Sequence, residues 1–259
     1  MTTNVTTNGR TPPAEAWQVA SMRVTAFPSE AIAVEHVSWW ADVVGVPPDT
    51  VVSRPKAGQY QAQGEFEGRQ LAIQIQPGRT EWNIGPIVKA AEELPNVPML
   101  GPLLEVIDSF SKVVTVWLPT APPMTRLAFG TVLIQPVESV RAGYILIKKY
   151  LPTVDIDPEG SSDLLYQINR PRMSATGIQG LHINRLARWS VQRAQRVVLT
   201  LGPEGATTQT IGDEVACRLE LDINTTPGFE GTLPVQHLIA LVREMAELGR
   251  EIAQRGDVP

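Results

Sequence analysis

Hydrophobic and polar positions change period several times along the chain. From Trp17 to Phe27 they alternate loosely and Pro28 follows, which predicts a strand. Ser29 is placed to cap a helix over Glu30 to Val44, where Ala33, Val37, Trp40 and Val44 recur at helical spacing before Gly45 and the Pro47-Pro48 pair. Gln59 to Phe66 and Arg69 to Gln76 then alternate about Glu67-Gly68, a hairpin with a two-residue turn, and Thr80 to Ile84 adds a short strand. Leu103 to Leu118 carries one apolar stripe, including Leu103, Val106, Phe110, Val113 and Trp117, and so predicts a helix stopped by prolines. Arg126 to Gln135 reads as a strand, and Glu138 to Leu151 as a helix ending at Pro152.

Thr153 to Ser162 is acidic, small and rich in turn formers, and the style of the chain changes there. Beyond it, Leu164 to Arg170, Leu181 to Trp189, Arg196 to Leu201 and Val215 to Ile223 predict four strands. Pro234 to Arg255 predicts a long closing helix with the stripe Leu238, Leu241, Val242, Met245, Leu248 and Ile252, ended by Gly256. Strands and helices alternate irregularly, with hairpins in both halves. The expected class is therefore α+β, as two subdomains that are each a mainly antiparallel sheet packed with helices. The expected division is a flexible tail at 1–16, an N-terminal domain at 17–152, a linker at 153–162 and a β-meander with a long helix at 163–259.

Composition narrows the class without naming an activity. The chain has 259 residues, 43% of them hydrophobic and 19% charged, enough to build a core and too apolar for a disordered protein. The net charge of -5 gives no global pull toward nucleic acid or an anionic membrane. No apolar run is long enough for a membrane helix, and the Thr/Asn/Pro-rich start has no signal-peptide pattern. One cysteine, Cys217, excludes an intramolecular disulfide. These features together predict a cytoplasmic protein.

Four features in one order carry a family resemblance: the hairpin region ending in Trp82-Asn83, the helix Leu103 to Trp117, the segment Arg126 to Ile134, and the strand Leu219-Glu220-Leu221-Asp222-Ile223-Asn224 before a long helix. In this order the chain resembles a sporadically distributed family of uncharacterised bacterial proteins of about this length. Ala128 and Gly130 stand where that family commonly has Gly and Arg, and Gln135 where Asn is common. The resemblance implies an α+β fold and a place in an accessory bacterial system, such as phage defence or toxin control. It implies no reaction and no catalytic residue.

Local signatures of chemistry are sparse. Asp155, Asp157, Glu159, Gly160 and Asp163 match the first, third, fifth, sixth and ninth positions of an EF-hand loop, but Tyr166 stands where the bidentate Glu is needed. His36, His182 and His237 lie in three separate elements and form no metal-binding motif. No nucleophile elbow or phosphate-binding glycine loop is present. Glu220 and Asp222 share one face of a strand, about 7 Å apart by strand rise, with Leu219, Leu221 and Ile223 opposite. That alternation favours a wet sheet face over an acid–base pair. No cofactor is expected.

The most unusual feature is Leu164 to Pro203, which has no Asp or Glu and carries Arg170, Arg172, Arg185, Arg188, Arg193 and Arg196. Arginine suits bidentate contacts with carboxylate or phosphate. The alternative is pairing within the fold, since the chain from Thr153 onward holds 10 basic and 14 acidic residues, among them Glu220, Asp222, Glu244, Glu247 and Glu251. Trp39 is the other candidate, because it points about 100° away from Trp40 on a helix. The expected function is a non-catalytic binding protein acting through a macromolecular partner. A protein is the first expectation, a nucleic acid or anionic ligand bound by the arginines the second, and an enzyme with an unrecognised site the third. A homo-oligomer remains open and no membrane is expected.

Overall fold

The computed structural model describes residues 16–87, 98–202 and 205–257, with the side chains of 195–213 left aside. The expected tail falls almost wholly outside the described residues. Ten strands form one antiparallel sheet: β1 (Gln18–Pro28), β2 (Thr50–Arg54), β3 (Gln59–Phe66), β4 (Arg69–Gln76), β5 (Arg79–Gly85), β6 (Met124–Val137), β7 (Leu165–Asn169), β8 (Arg172–Met173), β9 (His182–Gly202) and β10 (Gly205–Thr225). Their order is β2-β3-β4-β5-β1-β6-β10-β9-β7, with β8 beside β9. Among the described residues four helices accompany them: α1 (Trp39–Val44), α2 (Leu103–Trp117), α3 (Val140–Tyr150) and α4 (Leu238–Arg255).

The fold is α+β and antiparallel, as the sequence predicts. The strands of its two segments are joined in one sheet rather than lying in two. β6 pairs with β1 on one side and with β10 on the other, from Ala128↔Asn224 to Val137↔Val215. The segment 153–162 runs between α3 and β7, and Lys148 and Arg141 of α3 hold its Asp155 and Glu159 by ion pairs.

The β3–β4 hairpin forms where the alternation places it, with Tyr60↔Ile75 through Phe66↔Arg69 in register. Glu67 and Gly68 both have positive φ, at 48° and 74°, as a type I′ turn requires. The Glu67 carboxylate accepts hydrogen bonds from Ser109 Oγ at 2.7 Å and Lys112 Nζ at 2.6 Å, which ties this turn to α2.

All four helices cover one face of the sheet. Leu71, Ile73, Trp82, Ile84, Val24, Phe129, Leu133, Leu219, Leu221 and Trp189 on that face are buried. The apolar stripes of α2 and α4 pack over them, with Phe110, Val113 and Trp117 from α2 and Leu241, Met245 and Ile252 from α4. Two aromatic groups organise the layer. Trp82 stacks with Trp40 and meets Trp117 edge-on, and Trp117 meets Trp39 with ring centroids 6.0 Å apart. Trp17, Tyr150 and Trp189 form the second group, and the Trp17 indole N–H donates to the Ala253 carbonyl of α4 at 3.1 Å.

Two local readings change. The helix expected over Glu30 to Val44 is a short 3-10 turn at Val34–His36 followed only by α1. A break before Trp39 lets Trp40 enter the core while Trp39 lies half-buried on Trp117, which one regular helix face could not do. The strands expected at 181–189 and 196–201 are one strand, β9, because its pairing with β10 continues without a break from Ile183↔Thr225 to Arg196↔Gly212.

Candidate interaction surface

The face opposite the helices is covered by none of the four. Register places Gln61 and Gln63 of β3, Gln70 and Gln74 of β4, Glu81 and Asn83 of β5, and Arg23 of β1 on it. It continues through Gly130 and Val132 of β6, then Arg218, Glu220, Asp222 and Asn224 of β10, then Asn184 and Arg188 of β9. These side chains are half-buried or exposed, apart from Gly130, while their sequence neighbours Leu219, Leu221 and Ile223 are fully enclosed. Glu220 and Asp222 therefore occupy the wet face that the alternation predicts.

Charges on this face compensate one another. Glu220 accepts from Arg218 Nε at 2.9 Å and faces Arg188 at 3.8 Å, while Arg188 Nε donates to Gln167 at 2.9 Å. Asp222 accepts from the Asn224 amide at 3.0 Å. The Arg23 guanidinium lies over Gly130, where a Cβ would come within 2.8 Å of its Cζ, and its Nε is 3.8 Å from Glu81. Gly130 leaves room for that guanidinium. A shallow depression here is lined by Arg23, Arg188, Glu220 and Asp222, and none of the chain's histidines lines it.

The remaining arginines divide between faces and partners. Arg170 forms a two-pronged pair with Asp257, whose second oxygen also accepts from the Tyr166 hydroxyl at 2.8 Å. Arg172 donates to Glu251 at 3.1 Å. Arg185, expected on a partner surface, is only 3% exposed and lies in the helix layer, 3.6 Å from Glu251. Arg193 is exposed and engaged within the fold. Arg196 lies outside the residues whose side chains are described. Glu251 of α4 thus holds Arg172 and faces Arg185, Glu220 faces Arg188, and Asp257, which sequence reasoning missed, holds Arg170. Its only sequence signal is its place directly after the helix-ending Gly256. That glycine has φ +77°, and a Cβ there would come within 2.0 Å of the Tyr150 carbonyl oxygen.

Other candidates resolve into structural contacts. Cys217 is buried, its thiol donates to the Gly143 carbonyl at 3.4 Å, and burial pushes its pKa up to about 12. That environment disfavours a thiolate nucleophile. His36, in the 3-10 turn, and His182, at the start of β9, are exposed, and neither lines the depression beside Glu220. Among the described residues, no group of three or more His, Cys, Asp or Glu is placed to hold a metal ion. None of the described helices is long and apolar enough to cross a membrane.

The β9–β10 hairpin supplies a feature that the sequence reading did not contain. Pairing with β6 ends at Val215, and pairing with β7 ends at Ser190. Beyond those points β9 and β10 pair only with each other among the described strands, out to Gly202↔Gly205. By strand rise this two-stranded arm extends roughly 30 Å past the sheet. At its base, Ile134, Pro136, Val137 and Ala216 floor an apolar groove of about 570 Å³, edged by Glu138 and Arg218. No protein-family model, curated protein or solved structure matches the chain.

Proposed function

We propose that this protein is a non-catalytic binding protein that acts through a protein partner, and that the β9–β10 arm with the groove at its base is the contact. The observation that carries this reading is the arm itself. A two-stranded ribbon standing free in water is marginal, and its outer edges present unpaired backbone N–H and C=O groups. Between Val197 and Gly212 the sequence is mostly Val, Leu, Ile, Thr and Gly, with Pro203, Ala206 and Gln209 among them and Glu204 as its only charge, and no Lys guards either edge. An extended segment of another protein adding to an edge would satisfy that backbone, and the groove would take its apolar side chains.

Nucleic-acid binding is less well supported. Arg170, Arg172, Arg185 and Arg188 lie beside Asp257, Glu251 and Glu220, so neutralising phosphates would require breaking internal pairs. The resemblance to a sporadically distributed bacterial family supports a cytoplasmic accessory system, such as phage defence or toxin control, as the setting.

The test replaces residues 196–212 with Asn-Gly, a two-residue turn between the paired Gln195 and Asp213 that closes the shortened hairpin in register. Full-length and shortened chains are used as baits in host lysate, and captured proteins are identified by mass spectrometry at low and high salt. A protein captured by the full chain at both salts and lost from the shortened one supports the reading. Identical captures by both chains, or a nucleic acid released steeply by salt, would overturn it. Light scattering on the pure protein shows separately whether the arm's partner is a second copy.

A further inference from the structure

The strand β9 brings a guanidinium into the helix layer without a hydrogen-bonding partner. Arg185 follows the inward alternation of Ile183, Ala187 and Trp189 and takes a position that is otherwise apolar. Its Nε is buried and meets no acceptor among the described residues. Its nearest carboxylate, Glu251, is 3.6 Å away and is shared with Arg172 at 3.1 Å and Arg255 at 3.5 Å. Asp257 is committed to Arg170 and Tyr166. Four guanidinium groups therefore gather around two carboxylates. Burial lowers the pKa of Arg185, and the neighbouring Arg172 and Arg170 charges lower it further, against the pull of Glu251 and Asp257. A buried cation with an unmade hydrogen bond is costly, so a fold that retains it gains from anything that completes the site.

A small cavity lies beside it. Ile168, Arg170, Arg185, Ala187, Ile252 and Asp257 line a space of about 10 Å³, room for one water-sized particle. We propose that this cavity binds a monatomic monovalent anion of the size of chloride, held by Arg185 and Arg170, which line it together with Asp257. Its lining sets two guanidinium groups against the one carboxylate of Asp257, and that excess of positive charge favours an anion over water, while the small space suits a single monatomic ion. The anion ties β9 to the end of α4 and the residues after it, so its occupancy stiffens the edge of the sheet that carries β7 and β8. The proposal is independent of the arm as a partner site.

Thermal unfolding tests it at constant ionic strength, with sodium chloride exchanged stepwise for sodium gluconate, whose anion is too large to enter. The wild-type Tm is expected to rise saturably with chloride, by about 3 °C at the plateau. Arg185→Met, which removes the buried charge and keeps the length, is expected to abolish that rise. Should Arg185→Met fail to fold, Arg172→Gln, which removes a part-exposed charge near Arg185 and leaves the cavity lining intact, is expected to fold and to shift the chloride midpoint to higher concentration. A Tm that is the same in both salts would mean that water fills the cavity and would overturn the proposal. So would an unchanged chloride response in Arg185→Met or, where it is needed, in Arg172→Gln.

Discussion

Arg185 and Arg188 stand three residues apart on β9 and meet opposite environments. Arg185 points into the layer of α4, among Ile183, Ala187 and Trp189, and is almost wholly enclosed. Arg188 points to the uncovered face, beside Gln167 and Glu220, with nearly half of its side chain in solvent. The same contrast runs across the whole sheet. On one face Trp82, Val24, Phe129 and Leu219 are sealed under helices, while on the other Gln74, Glu81, Arg23 and Glu220 stay wet. Backbone pairing is common to both faces, so what separates them is the free energy of removing side chains from water. It follows that stability resides on one face, and that the other is free to change sequence without loss of fold.

The largest effect should come from the enclosed face. Trp189→Ala removes an indole that stacks on Tyr150 and meets Trp17 edge-on, and is expected to cost about 4 kcal/mol in urea unfolding. A loss under about 1 kcal/mol would mean that the second aromatic group does not hold β9 under the helices.

Charge reversal at the two arginines measures the contrast directly. Arg185→Glu sets a buried carboxylate beside Glu251 and is expected to cost about 3 kcal/mol or more. Arg188→Glu loses only partly exposed contacts and should cost under about 1 kcal/mol. Equal losses would show that the two faces are not distinguished as described.

Acid sharpens the comparison at the edge of the enclosed face. The hydrogen bonds from Arg170 hold the Asp257 carboxyl below its usual range, burial opposes this, and the Tyr166 hydroxyl adds to the lowering. A folded pKa below the unfolded value of about 3.9 makes a stabilising contribution that is complete above that value. That contribution is lost as pH falls through the lower folded value. Asp257→Asn should therefore be less stable than wild type at pH 6, and the gap should close as pH approaches 2. Parallel pH profiles of Tm for the two proteins would sink this assignment.

The smallest change is expected on the open face. Gln74→Ala, between Gln61 and Glu81 in register, should move stability by no more than about 0.5 kcal/mol. A larger loss would mean that the amide-rich end of this face is itself a packed, hydrogen-bonded structure.

Much of the fold was legible in the chain itself wherever a segment's period alone decides its partner. Alternation about Glu67-Gly68 determines the β3–β4 hairpin, because a two-residue turn leaves only one register. The apolar stripes determine α2 and α4, and Cys217 to Ile223 alternate between core and water as their types require. Other features depend on residues that meet only after folding. Nothing local announces that Ala128 pairs with Asn224 and so joins the two segments into one sheet. The Glu30 to Val44 stripe satisfies helical periodicity, yet Trp82 and Trp117 draw both Trp39 and Trp40 inward and leave only one short helix. The arginine run reads as an anion site until α4 returns Glu251 and Gly256 turns Asp257 toward Arg170. The arm is hidden for a related reason. A strand's sequence shows that it can pair, but only the tertiary arrangement shows that β6 and β7 end while β9 and β10 continue. Period is a property of neighbours along the chain, whereas pairing and charge compensation are properties of neighbours in space, and burial by distant elements decides them.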